Sequence, residues 1–108
     1  MKLLRIIIAT TAVAVAMGAL AISASAASTV NVTMKAMKFS VSGQAHAGKV
    51  TFVLTNKDTV PHNFAIAGKT SGLIAKGTTK RLTVTLKKGK VAYRCTMHPM
   101  MKGTLTVS

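Results

Sequence analysis

From Ser28 onward the apolar residues of this chain recur at every second position, and that period excludes most folds. Val30 and Val32 alternate with Thr29, Asn31 and Thr33, and Phe39 and Val41 alternate with Lys38, Ser40 and Ser42. Val50, Phe52 and Leu54 share one face against Thr51, Val53 and Thr55, and Phe64 and Ile66 continue the pattern after His62. Leu82, Val84 and Leu86 alternate with Arg81, Thr83 and Thr85. Val91 and Tyr93 lead into Cys95, and Leu105 and Val107 alternate with Thr104 and Thr106. Side chains two apart on a strand face the same way, so these runs read as short, half-buried strands. Turn signals fall between them at Ala47-Gly48, Gly68, Gly72, Gly77 and Lys88-Gly89. The region shows no amphipathic helix, internal repeat or second domain. It is expected to form one all-β antiparallel sandwich or barrel.

The first 26 residues read differently. Lys2 and Arg5 form a short basic region, Ile6 to Leu20 is an almost unbroken apolar run, and Ala24-Ser25-Ala26 follows with small residues. This is the pattern of a secretory signal peptide, with cleavage expected after Ala26 and a mature domain of residues 27–108. The apolar run is short for a membrane anchor. With no Cys at the cleavage point a lipoprotein is not expected, and with no Arg-Arg pair the general secretory route is. The expected location is the periplasm, with no stable membrane insertion after cleavage.

An exported domain of this size buries about 60% of its unfolded surface. Cys95 is its one cysteine, so it has no internal disulfide. Small exported domains commonly need a metal or another staple, and a lone thiol in an oxidising compartment calls for an explanation. Metal ligation answers both. Of fifteen Lys and Arg, Lys2 and Arg5 lie in the leader, leaving thirteen against the single acid Asp58, a mature net charge of +12. Such a charge speeds association with acidic partners and repels basic ones.

The chemistry concentrates in Tyr93-Arg94-Cys95-Thr96-Met97-His98-Pro99-Met100-Met101-Lys102-Gly103, where a thiol, an imidazole and a thioether fall at Cys95, His98 and Met101. A second imidazole, His62, lies in Pro61-His62-Asn63-Phe64. Val91, Tyr93 and Cys95 are in phase, as are His62, Phe64 and Ile66, so two strands can bring the thiol and one imidazole to the same end of a core. The loop beyond Cys95 must then fold back over that end. Two His, one Cys and a weak axial Met suit a blue-copper electron-transfer site, whereas zinc prefers a closed Cys/His tetrahedron. His62, Cys95, His98 and Met101 are the candidate ligands, with Met100 the competitor for the axial place. Singly each has an ordinary explanation, a buried thiol, a loop imidazole or core filler; together at this spacing they do not.

These residues resemble the cupredoxins, the small blue copper proteins, and among them amicyanin most closely. The likeness covers nearly all of the mature chain and includes Ala36-Met37-Lys38-Phe39, Pro61-His62-Asn63-Phe64 and the compact loop from Cys95 to Gly103. Two residues separate Cys95 from His98 and two separate His98 from Met101, as in amicyanin; plastocyanin, pseudoazurin and azurin have longer segments. The resemblance implies an eight-stranded Greek-key β-sandwich holding one type 1 copper near one end. It implies that Asn63 ties the His62 loop to the Cys95 loop through Thr96, with its backbone amide near the sulfur. It further implies redox partner proteins, a dehydrogenase as donor and a cytochrome as acceptor.

The expected function is therefore that of an exported, monomeric one-electron carrier and not an enzyme. Storage or delivery of copper is the alternative, motivated by Met34, Met37, Met97 and Met100. A cationic binder of polyanions leaves the ligand set unexplained, and low aromatic content argues against nucleic acid. A multicopper oxidase or nitrite reductase fits poorly, because those enzymes place a His beside the Cys, whereas Cys95 is flanked by Arg94 and Thr96. His46 is expected at the surface, and the turn cluster Lys87, Lys88 and Lys90 is a candidate to steer an acidic partner.

Overall fold

The computed structural model describes residues 27–108; the expected leader lies outside them. Eight strands follow one another: β1 (Ser28–Lys35), β2 (Lys38–Ser42), β3 (Gly48–Asn56), β4 (Ala65–Ile66), β5 (Lys69–Thr70), β6 (Thr79–Leu86), β7 (Gly89–Arg94) and β8 (Lys102–Val107). They form two four-stranded sheets, ordered β2-β1-β3-β6 and β5-β4-β7-β8.

The alternation is realised residue by residue. Val30, Val32 and Met34 of β1 and Val50, Phe52 and Leu54 of β3 are buried. Val84 and Leu86 complete the first sheet's inner face, and Ile66, Leu105 and Val107 meet them from the second. Phe64, just ahead of β4, is the hub. Its ring centroid lies 5.0 Å from Phe52, 5.6 Å from Phe39 and 5.4 Å from Tyr93. Burying such a ring stabilises by about 1.5–3 kcal/mol, with a further contribution from the aromatic contacts. Outward positions carry threonine, whose hydroxyls pair across β3 and β6 at Thr51–Thr83 and Thr55–Thr79.

One pairing departs from the antiparallel expectation: β1 and β3 run parallel, with Val30 opposite Phe52 and Val32 opposite Leu54. The reason is topological. β2 folds back as the hairpin partner of β1 and occupies one of its edges. The chain leaving β2 crosses to the free edge and arrives there in the direction of β1.

His46, expected at the surface, is half-buried; its Nδ1 lies 2.7 Å from Ser108 Oγ and its N–H donates to Ser28 Oγ. The lysine turn between β6 and β7 lies at the start of β7, whereas Cys95 follows its end. Six strand residues put about 20 Å between the two poles.

Candidate metal centre

The site is assembled from three connections at one pole. Asn56, fully buried at the end of β3, organises the first. Its Nδ2 donates to the carbonyls of Val60 and Ile74, both at 2.9 Å, and its Oδ1 accepts from the Asp58 N–H. This shapes the segment that delivers His62, which pairs with Ile74 through two backbone hydrogen bonds. His62 and Phe64 are fully buried and Ile66 nearly so, as their shared phase requires. Cys95, 1% exposed, follows β7 directly. The loop after it closes as expected: Cys95 N–H donates to the Met101 carbonyl and Met101 N–H to the His98 carbonyl, both at 2.9 Å.

The donor atoms converge. One ligand atom each from His62, Cys95 and His98 lies within 4.8 Å of the others. His62 Nδ1 and His98 Nδ1 are 3.1 Å apart, and Cys95 Sγ is 3.4 Å from His98 Nδ1. Bonds of about 2.0 Å to nitrogen and 2.3 Å to sulfur bring donors on one ion to about this spacing. Met101 is buried at 1% exposure, whereas Met100 is 93% exposed, so the fold draws only the former beneath the loop. His62 is enclosed and His98 half-buried, which leaves His98 as the imidazole facing outward.

The cross-loop tie implied by the resemblance is present as a reciprocal pair. Asn63 Nδ2 donates to Thr96 Oγ1 at 2.6 Å, and the Thr96 N–H donates to Asn63 Oδ1 at 2.8 Å. No hydrogen bond from the Asn63 backbone amide to the sulfur is found among the described residues; the hydrogen-bonding neighbour of Sγ is His98 Nδ1.

Sequence reasoning missed Asp58. Its Oδ2 lies 2.8 Å from His62 Nε2, four residues on. An N–H there donates to the carboxylate, which leaves the Nδ1 lone pair facing the cluster. The Met37 N–H holds the Asp58 carboxyl below its usual range, and the hydrogen bond from His62 adds to this. The available signal was that the only acid in a strongly basic chain stands four positions before a candidate ligand.

In front of His98 lies a groove of about 370 Å³, walled by Ala36, Met37 and Lys38 on one side and Met97, Pro99 and Met100 on the other. Met37 and Met97 are exposed there, but Met34 is fully buried in the core and is no part of a thioether surface. A larger concavity of about 920 Å³ lies along β4, β5, β7 and β8 and carries Lys69, Arg94 and Lys102. None of the three converging donors lines it.

A family model described as a cupredoxin-like domain matches residues 5–107 of the sequence. Auracyanin A, a blue copper protein of Chloroflexus aurantiacus, superposes with a TM-score of 0.65 at 20% identity, covering 77% of this chain and 100% of that one. Amicyanin from Paracoccus versutus gives 0.58 at 24% identity, covering 74% and 81%. A point mutant of amicyanin in its reduced Cu(I) form gives 0.56 at 28% identity, covering 74% and 82%. No curated protein matches the chain.

Proposed function

Because this chain belongs to the family of cupredoxin-like domains, we propose that it is a small copper protein carrying single electrons between redox partners. The observation that carries the reading is the convergence of His62 Nδ1, Cys95 Sγ and His98 Nδ1 at one pole of the sandwich. His62, Cys95 and His98, with Met101 buried beneath the loop, would hold the ion. The cofactor is one copper ion, which supplies a Cu(II)/Cu(I) couple when bound. The chain supplies the rest. Asp58 and the Asn63–Thr96 pair hold the donors in one arrangement, so that little moves when the charge changes. The half-buried His98 offers the shortest way to the surface, and Met37, Met97 and Met100 give it an apolar surround that sheds water in a brief encounter. The protein acts as a carrier and not as an enzyme. Its partners are acidic redox proteins, a dehydrogenase donor and a cytochrome acceptor among the classes that fit, met as a monomer in the periplasm after residues 1–26 are removed. N-terminal sequencing of exported protein should then begin at Ala27.

Cupric reconstitution tests the reading. It should give one tightly bound copper per chain, an intense sulfur-to-copper absorption band in the visible and a reversible one-electron wave. Cys95→Ala should abolish the band. Failure to bind copper stoichiometrically, or a band that survives in Cys95→Ala, overturns it.

Copper delivery is the second reading, favoured by the exposed thioethers of Met37, Met97 and Met100 beside His98. Rapid loss of Cu(I) to an acceptor protein, faster than electron exchange, would support delivery over electron carriage.

A further inference from the structure

Ala36 and Met37, the two residues that join β1 to β2, both have positive φ, 52° and 59°. A two-residue turn of this hand usually takes Asn-Gly, because a Cβ is strained there. Nothing in Ala-Met favours it. What holds the turn comes from outside the hairpin. Asp58 Oδ1 accepts from the Ala36 N–H at 3.1 Å, and Oδ2 accepts from the Met37 N–H at 2.9 Å. The same Oδ2 accepts from His62 Nε2 at 2.8 Å. One carboxylate thus serves both a strained turn and the buried imidazole of the metal cluster. It is the only acid in the sequence. Its place is fixed in turn by Asn56, which takes the Asp58 N–H and is anchored on the carbonyls of Val60 and Ile74. The turn is no bystander, since Ala36 and Met37 form one wall of the groove in front of His98.

We propose that Asp58 is a positioning residue that couples the groove wall to the metal ligand His62. By accepting the Nε2 proton it fixes the tautomer and ring orientation that present Nδ1 to the metal. By accepting the Ala36 and Met37 N–H groups it holds the left-handed turn against the His98 face. The surface a partner meets and the ligand it exchanges electrons through are therefore tied to one side chain. The first half of this inference rests on the copper-site reading; the second half does not.

Three variants separate the two halves: Asp58→Asn, Ala36→Asn/Met37→Gly, and all three changes together. The Asn-Gly turn supports itself, so it frees the hairpin from Asp58. Asp58→Asn should weaken Cu(II) binding by about 10–100-fold, the usual effect of losing such an outer partner. In the copper-free protein it should change the ¹⁵N shifts of the His62 ring and speed amide exchange at Met37 by about tenfold. Ala36→Asn/Met37→Gly should leave copper affinity within about twofold. The triple variant should regain amide protection in the turn but neither the affinity nor the ring shifts. The proposal is overturned if Asp58→Asn leaves the ring shifts and Met37 exchange unchanged, or if the triple variant regains copper affinity. Should the wild-type chain bind no copper, the copper reading fails, while ring shifts and amide exchange still decide the clamp.

Discussion

Met101 and Met100 are neighbours in sequence and opposites in the fold, one enclosed and the other almost fully in solvent. Met101→Leu keeps volume and apolarity, so the copper-free domain should lose less than about 1.5 kcal/mol in chemical denaturation. If the thioether is the axial ligand, the same change should raise the reduction potential and alter the visible spectrum, since an axial donor tunes such sites. Met100→Leu should leave both as they were, and a potential that follows Met100 instead would reassign the ligand. Asp58 carries a different prediction. Its carboxyl is held below the usual range, so what it adds to stability is present above about pH 4, the unfolded value. That contribution disappears as pH falls through the lower folded value. Denaturation midpoints of wild type and Asp58→Asn, compared from pH 7 to pH 2, should differ at neutral pH and converge in acid. His62 and Cys95 were legible because each sits in phase with residues that pack into or against the core on its own segment. Asp58 was not, because its reach to His62 depends on a loop shaped by Asn56 and follows no strand period.

The return from the Cys95 loop depends on a glycine with an unexpected task. A Cβ at Gly103 would collide with the Tyr93 ring directly across β7 and β8. Gly103→Ala should therefore destabilise by about 1–3 kcal/mol, the range for overfilling a packed site. The Asn63–Thr96 pair joins the two ligand-bearing loops. Asn63→Ala should cost about 1–3 kcal/mol for its two hydrogen bonds and speed copper loss, measured by chelator capture. The strands themselves were readable from alternation, which says which side chains share a face. It says nothing of which strands are neighbours. The parallel β1–β3 pair and the two-residue β4 follow from where β2 and the loops leave room, and no local pattern records that.

A charge imbalance this large acts on the whole molecule before any contact forms. Electron transfer with an acidic partner should slow steeply as salt rises, over about one to three orders of magnitude if steering dominates. Position then matters. Lys38 borders the His98 groove, while Lys88 stands at the far pole, about 20 Å of strand away and beyond the screening length of about 8 Å in physiological salt. Lys38→Glu should thus depress the association rate in stopped-flow mixing well beyond Lys88→Glu, and equal effects would move the docking face away from His98. The burial of Cys95 bears on the protein's life before it meets a metal. A thiol roofed by its own loop cannot reach another chain's sulfur. Empty molecules should not crosslink in air, and bulky alkylating reagents should mark them only as fast as that roof lifts.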